Sequence, residues 1–400
     1  MRAARAYKLF DPSQGGGRIE TVDANSEHTR DVRHDRYLKV VLQMATKRAT
    51  VAVDINPATR PIITGTETFT RELCRRLPAA SPDVSWRFYA SRPGGRGLGV
   101  DVTVLPFRRG WSQLRLPVAL AADHPDLLFV PGHVIPFGWL GKSVTAVHDL
   151  AFEIYPAAYG YAERAYLRAT TAWAVARCKL LIAPSESTKQ DLVRHYGVEP
   201  DRVRVVQLGI ARPGKPAMSA SVVEKLGLDG TFVLQVGRVE PRKNQSAALA
   251  AVEQLDGVTL VVAGPARDSA LASRLAGSQR CRVLGAVDQA TLDVLYDRAA
   301  AVIVPSLYEG FGLPVLEAMA RGKVVVAAKV SSLPEVGGDA ALYFPDPKDP
   351  AGIARVLEVA LGDQGLRETL STAARKRAAG FTWERTASEV AAVIDEVLRL

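Results

Sequence analysis

Two carboxylates stand eight positions apart in the segment EGFGLPVLEAMA, which runs from Glu309 to Ala320. The apolar run before it (residues 300–306) is typical of a buried parallel strand. Pro314 suits the first position of a helix, where its missing N–H would have no partner, so we predict a strand, a tight Gly-Phe-Gly turn and a helix. Glu317 is then expected in the first helical turn, where the helix dipole also favours bound anions. Such a pocket suits a ligand with both phosphates and hydroxyls, such as a sugar nucleotide.

A second segment, QVGRVEPRKN (Gln235–Asn244), places cations in a comparable position. It follows the apolar strand TFVLQVG and opens a helix that we expect to begin near Asn244. Arg238, Arg242 and Lys243 lie on this turn, where fixed cations would meet a diphosphate. Ligands of open parallel sheets bind outside the carboxyl ends of the strands, so the position of this basic turn favours a binding role.

A third pair of polar residues, His148 and Asp149, ends the apolar strand SVTAVHDL (Ser143–Leu150). A histidine in this position can also be a buried core residue. Because this pair, the acidic segment and the basic turn all lie at the carboxyl ends of predicted strands, we expect them to line one cleft. Metal motifs such as His-Glu-x-x-His are absent from the sequence, and we expect no metal site.

Alternating strands and helices must position these residues. From residue 50 onward, short apolar strands alternate with helical segments, which predicts parallel sheets covered by helices on both faces. The predicted strands are 51–56, 85–90, 102–106, 126–130, 144–149, 179–183 and 203–207, followed by a second series at 231–237, 258–264, 282–287, 300–306 and 323–328. The helices predicted in the first series are 66–77, 112–122, 157–177 and 186–196.

The chain of 400 residues is longer than one core usually supports. We predict an α/β fold with two Rossmann-like, doubly wound domains: residues 49–210 and 211–380, joined by the Pro- and Gly-containing stretch 211–220. Residues 381–400 are predicted to form a terminal helix. Residues 1–48 hold a GGG run and many charges without periodicity. We expect them to be a disordered tail or the product of a start assigned too far upstream, with Met44 near the functional start.

Charge and cysteine usage narrow the class of protein. The net charge is +9, of which residues 1–49 carry +4 and residues 50–210 carry +5, whereas residues 211–400 are neutral. Three widely spaced cysteines without a Cys-x-x-Cys pair favour a reducing compartment. No apolar stretch reaches the ~18 residues that a membrane span needs, and no signal peptide is recognisable. We therefore expect a cytoplasmic protein.

These segments resemble the retaining glycosyltransferases of family 4, which have the two-domain GT-B fold. Glu309 and Glu317 match the Glu-x7-Glu motif of that family, and the turn with Gly237, Arg238 and Lys243 matches its diphosphate-binding turn. Further matches are SVTAVHDL (Ser143–Leu150), LLIAPSEST (Leu180–Thr188) and FTWERTA (Phe381–Ala387). The resemblance runs from residue 50 to the C-terminus, and it implies that the terminal helix crosses back onto the first domain.

The resemblance also implies roles for single residues. Glu309 would contact the transferred hexose, His148 would lie near the same sugar, and Asp149 would belong either to the site or to its scaffold. These three are the candidate catalytic residues. The candidate donor-binding residues are Gly65, Gly237, Arg238, Lys243, Gly310, Phe311, Gly312, Leu313 and Glu317. Among them, Glu317 would accept hydrogen bonds from the ribose, and the amides of Phe311 to Leu313 would bind phosphate.

Gly65 lies in the segment TGTETF (Thr64–Phe69), where the resemblance implies that the backbone approaches the diphosphate. The family often has two glycines here, whereas this chain has one. Glu67 of the same segment would point towards the acceptor.

The implied activity is hexosyl transfer with retention, through a front-face mechanism that uses no metal and no cofactor. The second domain would bind the nucleotide-sugar donor. GDP-mannose is our first expectation because the motifs look closest to bacterial mannosyltransferases, and UDP- and dTDP-hexoses stay open. Two other functions remain as alternatives: a GT-B-fold nucleotide-sugar epimerase and a non-catalytic nucleotide-sugar-binding subunit. The presence of Glu309, His148 and Lys243 favours the transferase.

The acceptor is expected on the basic first domain and to be a saccharide or a lipid-linked saccharide of cell-envelope polysaccharide synthesis. The segment FRRGWSQLRLP (Phe107–Pro117) combines arginines with aromatic and aliphatic residues. This composition suits contact with an anionic membrane surface at its inner face, and it equally suits an amphipathic helix packed on its own sheet. We expect no nucleic-acid partner.

Overall fold

The computed structural model describes residues 48–60, 65–93, 97–107, 109–214, 224, 226–228 and 230–400. Ala49–Leu400 form one compact unit, and this unit is built on two parallel sheets. Our expectations for residues 1–47 and for residues 215–220 of the linker lie outside the described residues.

The first sheet has seven parallel strands in the order β3-β2-β1-β4-β5-β6-β7. Its strands are β1 (Thr50–Asp54), β2 (Ser85–Ala90), β3 (Val102–Val104), β4 (Leu127–Val130), β5 (Lys142–Ala146), β6 (Leu180–Ala183) and β7 (Val203–Val205). Strands β4 and β6 are buried along their whole length, as expected for a parallel sheet with helices on both faces. The strand order reverses between β1 and β4, which opens a crevice at their carboxyl ends.

Five helices accompany this sheet among the described residues. They are α1 (Gly65–Ala80), α2 (Leu116–Asp123), the single turn α3 (Ala151–Ile154), α4 (Tyr161–Arg177) and α5 (Glu186–Tyr196). The long helix α1 turns Phe69, Leu73 and Leu77 into the core, at the 3.6-residue period of an amphipathic helix.

The second sheet has six parallel strands in the order β10-β9-β8-β11-β12-β13. Its strands are β8 (Thr231–Val236), β9 (Val258–Ala263), β10 (Cys281–Gly285), β11 (Ala301–Val304), β12 (Val325–Ala328) and β13 (Leu342–Phe344). The strand order again reverses, here between β8 and β11. The loops that follow these two strands therefore meet at the carboxyl edge of the sheet.

The helices of the second series are α6 (Gln245–Val252), α7 (Ser269–Ala276), α8 (Gln289–Arg298), α9 (Leu313–Ala320), α10 (Leu333–Gly337), α11 (Pro350–Gly362), α12 (Gln364–Ala378) and α13 (Trp383–Arg399). Among these, α13 contacts the first domain. It lies against α1, and the Glu384 carboxylate accepts a hydrogen bond from Arg76 Nε at 2.8 Å. Its Glu396 carboxylate pairs with Arg204 at 2.7 Å.

The expected architecture of two doubly wound parallel sheets is confirmed, and β2 and α5 have the predicted limits. Strand β13 was not predicted because it has three residues and lies at the sheet edge. The helix predicted over 157–177 is wrong at its start. Pro156 opens a short 3-10 turn and Gly160 is extended, so α4 begins only at Tyr161.

The predicted helix 112–122 is also different in the structure. Trp111–Arg115 form a π-type turn, and α2 follows it. Of the residues considered for membrane contact, Trp111 and Leu116 are buried, and the Trp111 indole donates to Leu105 O at 2.9 Å. Leu114 is 60 % exposed. The segment therefore packs partly on its own sheet and partly faces outward.

Gly209 marks the place where the chain leaves the first domain beside the start of α13. A Cβ atom at this position would lie 2.3 Å from Trp383 N, a backbone atom that cannot move by itself. At Gly214, five residues later, a Cβ would meet nothing within 4 Å. We expect Gly209→Ala to lower the free energy of unfolding by about 1–3 kcal/mol, the cost of overpacking, and Gly214→Ala to change it far less.

Urea denaturation of the two variants, followed by circular dichroism, checks this prediction. Equal midpoints for Gly209→Ala and Gly214→Ala would contradict the tight contact between the linker and α13.

Candidate functional site

The acidic segment follows β11 as predicted, and its loop turns sharply into α9. Gly312 is the residue before the helix, with a left-handed φ of 116°. A Cβ at this position would lie 3.0 Å from the Leu333 side chain, so both the backbone conformation and the packing require glycine. No described group accepts a hydrogen bond from the backbone amides of Phe311 and Gly312. These amides are therefore available to an anion, although they are buried.

The Glu309 carboxylate is buried and surrounded by donors. Lys243 Nζ and Ser306 Oγ donate to Glu309 Oε1 at 2.5 and 2.6 Å, and Arg242 Nη1 donates to Oε2 at 3.3 Å. Burial by itself would raise the pKa of Glu309, but the two cations and the hydroxyl lower it to about 2. Glu309 is therefore ionised throughout the neutral range, and it can accept hydrogen bonds but cannot serve as an acid.

Arg242 lies at the centre of this cluster, with the side chain largely buried. Besides Glu309, it donates to Tyr308 O at 2.7 Å and to Glu240 Oε1 at 2.8 Å. Burial by itself would lower the pKa of Arg242, but the Glu309 carboxylate raises it above its usual value. The sequence placed Arg242 on the basic turn without indicating that it faces inward.

Asn244 fastens the basic turn to the acidic loop. It has a left-handed φ of 57°, and its side-chain amide donates to Pro305 O at 3.0 Å and to Pro347 O at 2.6 Å. A backbone bond from Leu307 N to Arg242 O, at 2.9 Å, adds to the connection. The two segments that the sequence singled out are thus brought together at the carboxyl ends of β8 and β11.

Gly237 and Arg238 occupy the outer part of the basic turn. Gly237 has a φ of 141°, and the backbone of Gly264 packs directly on its carbonyl group. Arg238 is exposed and forms no ion pair within the part of the chain that the structure describes. The site therefore has two cations committed to Glu309 and one that is exposed to solvent.

His148 lies two residues beyond the end of β5, not within the strand. The imidazole ring packs edge-on against Phe69, with 5.0 Å between ring centres. Its Nε2 lies 2.7 Å from Pro131 O, and because a carbonyl only accepts, Nε2 carries the proton. Burial lowers the pKa of His148. The ring is therefore neutral, with an unprotonated Nδ1.

Asp149 has a structural partner at the start of α3. Its Oδ1 accepts a hydrogen bond from Ala151 N at 3.0 Å. The second carboxylate oxygen has no partner among the described residues. One oxygen of Asp149 thus binds the backbone of α3. A role of Asp149 in the site itself stays a prediction.

His133 is a second buried histidine of this region, and the sequence did not single it out. It has a left-handed φ of 82°, which is uncommon for a residue with a Cβ. Its Nε2 lies 2.6 Å from Thr171 Oγ1, whose own proton goes to Leu167 O. Burial lowers the pKa of His133 to about 4. The strained backbone at the cleft is a signal that only the structure provides.

The acidic loop touches the first domain directly. At Gly310, an added Cβ would lie 1.9 Å from His148 O, so only glycine allows the two loops to meet. Tyr308 OH donates to Asp191 Oδ2 at 2.8 Å and accepts from Leu150 N at 3.2 Å. The structure therefore places Gly310, the residue after Glu309, against His148 and Asp149, so the two loops face one cleft as expected.

Glu317 differs from its expected position. Helix α9 begins at Leu313, so Glu317 is the fifth helical residue and lies in the second turn, not in the first. Pro314 is the second helical residue and not the first. The Tyr296 hydroxyl donates to Glu317 Oε2 at 2.6 Å. Burial raises the pKa of Glu317. Further hydrogen-bond donors are therefore needed to stabilise its charged form.

Gly65 is the first residue of α1 and faces the second domain. A Cβ at this position would lie 3.3 Å from the Leu313 side chain, so the first turn of α1 approaches the first turn of α9. Thr64 lies outside the described residues. Glu67, which we expected to face the acceptor, is buried and forms an ion pair with Arg60 at 3.1 Å.

Among the described residues, no group of three or more His, Cys, Asp or Glu side chains is arranged to hold a metal ion. None of the helices described has the length and apolar character to cross a membrane.

Two family descriptions match successive parts of the chain. Residues 63–212 match glycosyltransferase family 4, and residues 221–377 match the glycosyl transferases group 1. Among curated proteins, O-antigen chain mannosyltransferase B of Escherichia coli is 30 % identical over 299 residues, covering 71 % of this chain and 76 % of the relative. D-inositol 3-phosphate glycosyltransferase of Salinispora arenicola is 34 % identical over 325 residues, covering 71 % and 72 %.

Solved structures share the fold at lower identity. Sucrose-phosphate synthase from Thermosynechococcus elongatus superposes with a TM-score of 0.72 at 21 % identity, covering 88 % of this chain and all of that chain. WaaG, a glycosyltransferase involved in lipopolysaccharide biosynthesis, superposes with a TM-score of 0.68 at 20 % identity, covering 86 % and 99 %. With its two parallel-sheet domains, its Glu-x7-Glu segment and these relatives, the chain belongs to the family 4 glycosyltransferases and has the GT-B fold.

Proposed function

We propose that this glycosyltransferase moves a hexose from a nucleotide-diphosphate sugar to a saccharide or lipid-linked acceptor, with retention of configuration at the anomeric carbon. The ionised, buried Glu309 carboxylate supports this function most directly. It is held by Lys243, Arg242 and Ser306 beside the loop that carries His148. A carboxylate that is fixed in this way can select and orient sugar hydroxyls.

The donor diphosphate would lie between the basic turn and the start of α9. Arg238 is exposed and without an ion pair among the described residues, so it can meet the diphosphate without breaking an internal contact. Lys243 would be shared between Glu309 and the phosphates. The buried amides of Phe311 and Gly312, next to Leu313, supply neutral donors at a helix N-terminus. Fixed donors and cations stabilise the negative charge that develops on the leaving diphosphate.

The ribose would meet Glu317 on the inner face of α9. One oxygen of this carboxylate is taken by Tyr296, which leaves the other for the ribose hydroxyls. Burial has raised the pKa of Glu317, and hydrogen bonds from two hydroxyls would favour its charged form again. The charged form of Glu317 is therefore stabilised most when a donor is bound.

The transfer itself would take place on one face of the hexose. The bond between the anomeric carbon and the diphosphate oxygen breaks, the acceptor oxygen bonds to the same carbon, and the leaving phosphate takes the acceptor proton. His148 is neutral, with its Nε2 proton committed to Pro131 O, so it would contribute a hydrogen-bond acceptor at Nδ1. No step of this scheme requires Glu309 to change its protonation state.

The names of the relatives bear on which sugar is transferred and on which acceptor receives it. Two Escherichia coli relatives are mannosyltransferases by name: O-antigen chain mannosyltransferase B and the serotype-specific WbdA, which is 31 % identical over 228 residues. They support GDP-mannose as the donor. Several other relatives are D-inositol 3-phosphate glycosyltransferases, which supports a phosphorylated polyol as a second candidate acceptor. The positive charge of the first domain suits either an anionic saccharide or that phosphate.

Thermal shift experiments test the donor directly. A ligand that binds only the native state raises its stability by RT ln(1 + [L]/Kd), about 2.7 kcal/mol at a hundredfold excess over Kd. We expect GDP and GDP-mannose to raise the Tm of the full chain, and UDP, dTDP and ADP to have little effect. Arg238→Gln should lose most of the shift, whereas Arg355→Gln, an exposed arginine on α11, should keep it.

The outcomes of the thermal shift experiment separate the parts of the proposal. A shift with UDP or dTDP alone would move the donor away from GDP-mannose and leave the transferase in place. A full shift in Arg238→Gln would remove this residue from the donor site. No shift with any nucleotide, together with no release of nucleoside diphosphate from any donor, would contradict the proposed function.

The outer surface near α2 supports a further proposal, peripheral contact with an anionic membrane. Four large apolar side chains are exposed there: Leu114, Val118, Phe137 and Leu140, between 43 % and 70 %. The loop that carries Phe137 packs on this segment, since Phe137 N donates to the Gln113 side chain at 2.9 Å. Arg177 lies over the Trp173 ring beside them, 5.7 Å from its centre. Exposed apolar groups flanked by arginines suit an anionic lipid surface.

Vesicle sedimentation checks this surface. We expect the full chain to pellet with phosphatidylglycerol-containing vesicles, to remain in the supernatant with pure phosphatidylcholine, and to be released by salt. The double variant Leu114→Asp, Leu140→Asp should lose binding. Val359→Asp, which changes an exposed valine on α11, should retain it. Equal pelleting of both variants, or no pelleting of the unaltered chain, would contradict membrane contact.

A further inference from the structure

The N-terminus of α5 is occupied by a carboxylate from the other domain. Glu186 N and Ser187 N donate to Glu335 Oε2 and Oε1 at 2.7 and 2.8 Å. The helix has its own cap as well, because Ser185 Oγ accepts from Thr188 N at 3.1 Å. Glu335 therefore binds amides that the local cap leaves free. The segment LLIAPSEST, which supplies this helix start, has no assigned role in the proposed reaction.

Both oxygens of Glu335 are used, so the contact fixes the direction of the carboxylate as well as its distance. Helix N-terminal amides carry a partial positive charge, and hydrogen bonds to an ionised acceptor are stronger than neutral ones. Side-chain acceptors at a helix N-terminus usually come from the N-cap residue or the first turn of the same helix. Here the acceptor comes from a residue 149 positions away in the sequence, on the opposite side of the cleft.

Glu335 is attached to the acidic loop on its own side of the cleft. Ser331 Oγ accepts from Glu309 N at 2.9 Å, and the Ser332 hydroxyl lies 2.9 and 2.7 Å from the carbonyl oxygens of Glu309 and Phe311, to which it donates. These serines immediately precede α10, which carries Glu335. A guanidinium N–H of Arg377 donates to Glu335 O at 2.6 Å and so connects α10 to α12.

The start of α5 also reaches the acidic loop. Ser185 Oγ and Thr188 Oγ1 donate to Gly310 O at 2.6 and 3.1 Å, and all three residues are buried. Gly310 is the residue that lies against His148 O. The loop from Glu309 to Phe311 is therefore held on one side by the serines before α10 and on the other by the start of α5.

We propose that Glu335 is a positioning residue for the transfer reaction. The carboxylate of Glu335, together with Ser185 and Thr188, forms an interdomain clasp that holds the loop of Glu309 against the loop of His148. This inference rests on the proposed function, because the clasp positions residues assigned there. Within the described part of the chain, the Glu335 carboxylate forms no hydrogen bond or ion pair with a candidate donor-binding side chain. Its loss should therefore affect how the site is assembled and not how the nucleotide is held.

The test compares Glu335→Ala and Glu335→Gln with Glu358→Ala, which changes an exposed glutamate on α11. In Glu335→Ala we expect kcat to fall about 10- to 100-fold, the scale for losing hydrogen bonds to a charged group. The Kd of the nucleoside diphosphate should stay within about threefold, a factor well below one tenfold step of binding free energy. Glutamine keeps one carbonyl acceptor, so Glu335→Gln should be intermediate in kcat. Glu358→Ala should match the unaltered chain.

Small-angle X-ray scattering adds a readout that does not depend on catalysis. A larger radius of gyration is expected for Glu335→Ala than for the unaltered chain and Glu358→Ala, since the two domains lose a direct contact. Unchanged kcat together with an unchanged radius of gyration would overturn the clasp. If no donor is turned over by the unaltered chain, the proposed function fails, while the scattering comparison still decides whether Glu335 joins the domains.

A second variant covers a failure of Glu335→Ala to fold. Ser185→Ala, Thr188→Val removes the two hydroxyl contacts to Gly310 O and leaves the Glu335 carboxylate in place. The clasp predicts the same pattern: a lower kcat, an unchanged nucleotide Kd and a larger radius of gyration. A fall in nucleotide affinity that equals the fall in kcat would show a general structural role and would overturn the proposal.

Discussion

A buried carboxylate that must stay charged is the constraint on which the rest of this site depends. Taking Glu309 out of water is costly, and the structure offsets that cost with Lys243, Arg242 and a serine hydroxyl. The two cations come from the turn after β8, whereas the acid follows β11. The strand order places β8 and β11 side by side, and Asn244 joins the two loops. The charge balance therefore explains why the two segments that stand out in the sequence share one sheet edge.

The same loop also contacts the first domain. Gly310 allows the backbone of the acidic loop to touch His148 O, and Tyr308 reaches Asp191 and Leu150. The loops that carry Glu309 and the neutral His148 thus meet across the cleft, although 161 positions separate the two residues in the sequence. A candidate site between two domains needs groups that fix their relation. Here the buried hydroxyls of Ser185 and Thr188 and the half-buried carboxylate of Glu335 join the two sides.

Sequence patterns predicted the two sheets and the place of Glu309, Lys243 and His148, because strand ends and glycine turns are local features. They did not show which side chains of the basic turn face inward. Arg238 and Arg242 are four positions apart, and only the packed structure shows that Arg242 binds Glu309 while Arg238 is exposed. Glu317 was expected in the first turn of α9, and its partner Tyr296 comes from the preceding helix. Trp111 belongs to the segment that we considered for membrane contact, but it packs into the core. Contacts of this kind depend on tertiary packing, which no short window of sequence contains.

The ion pair between Glu309 and Lys243, at 2.5 Å, implies that the two residues act on the donor as one unit. A double-variant cycle on turnover measures this coupling. Nucleoside diphosphate release would be measured for Glu309→Gln, Lys243→Met and the double variant. We expect each single change to lower kcat by about 10²–10³-fold, the scale for losing one group that stabilises the transition state. Because residues that act together are not additive, the double variant should lose at most about tenfold more than the worse single variant. Losses that multiply, or a Glu309→Gln enzyme with unchanged kcat, would contradict a joint action of Glu309 and Lys243 on the donor.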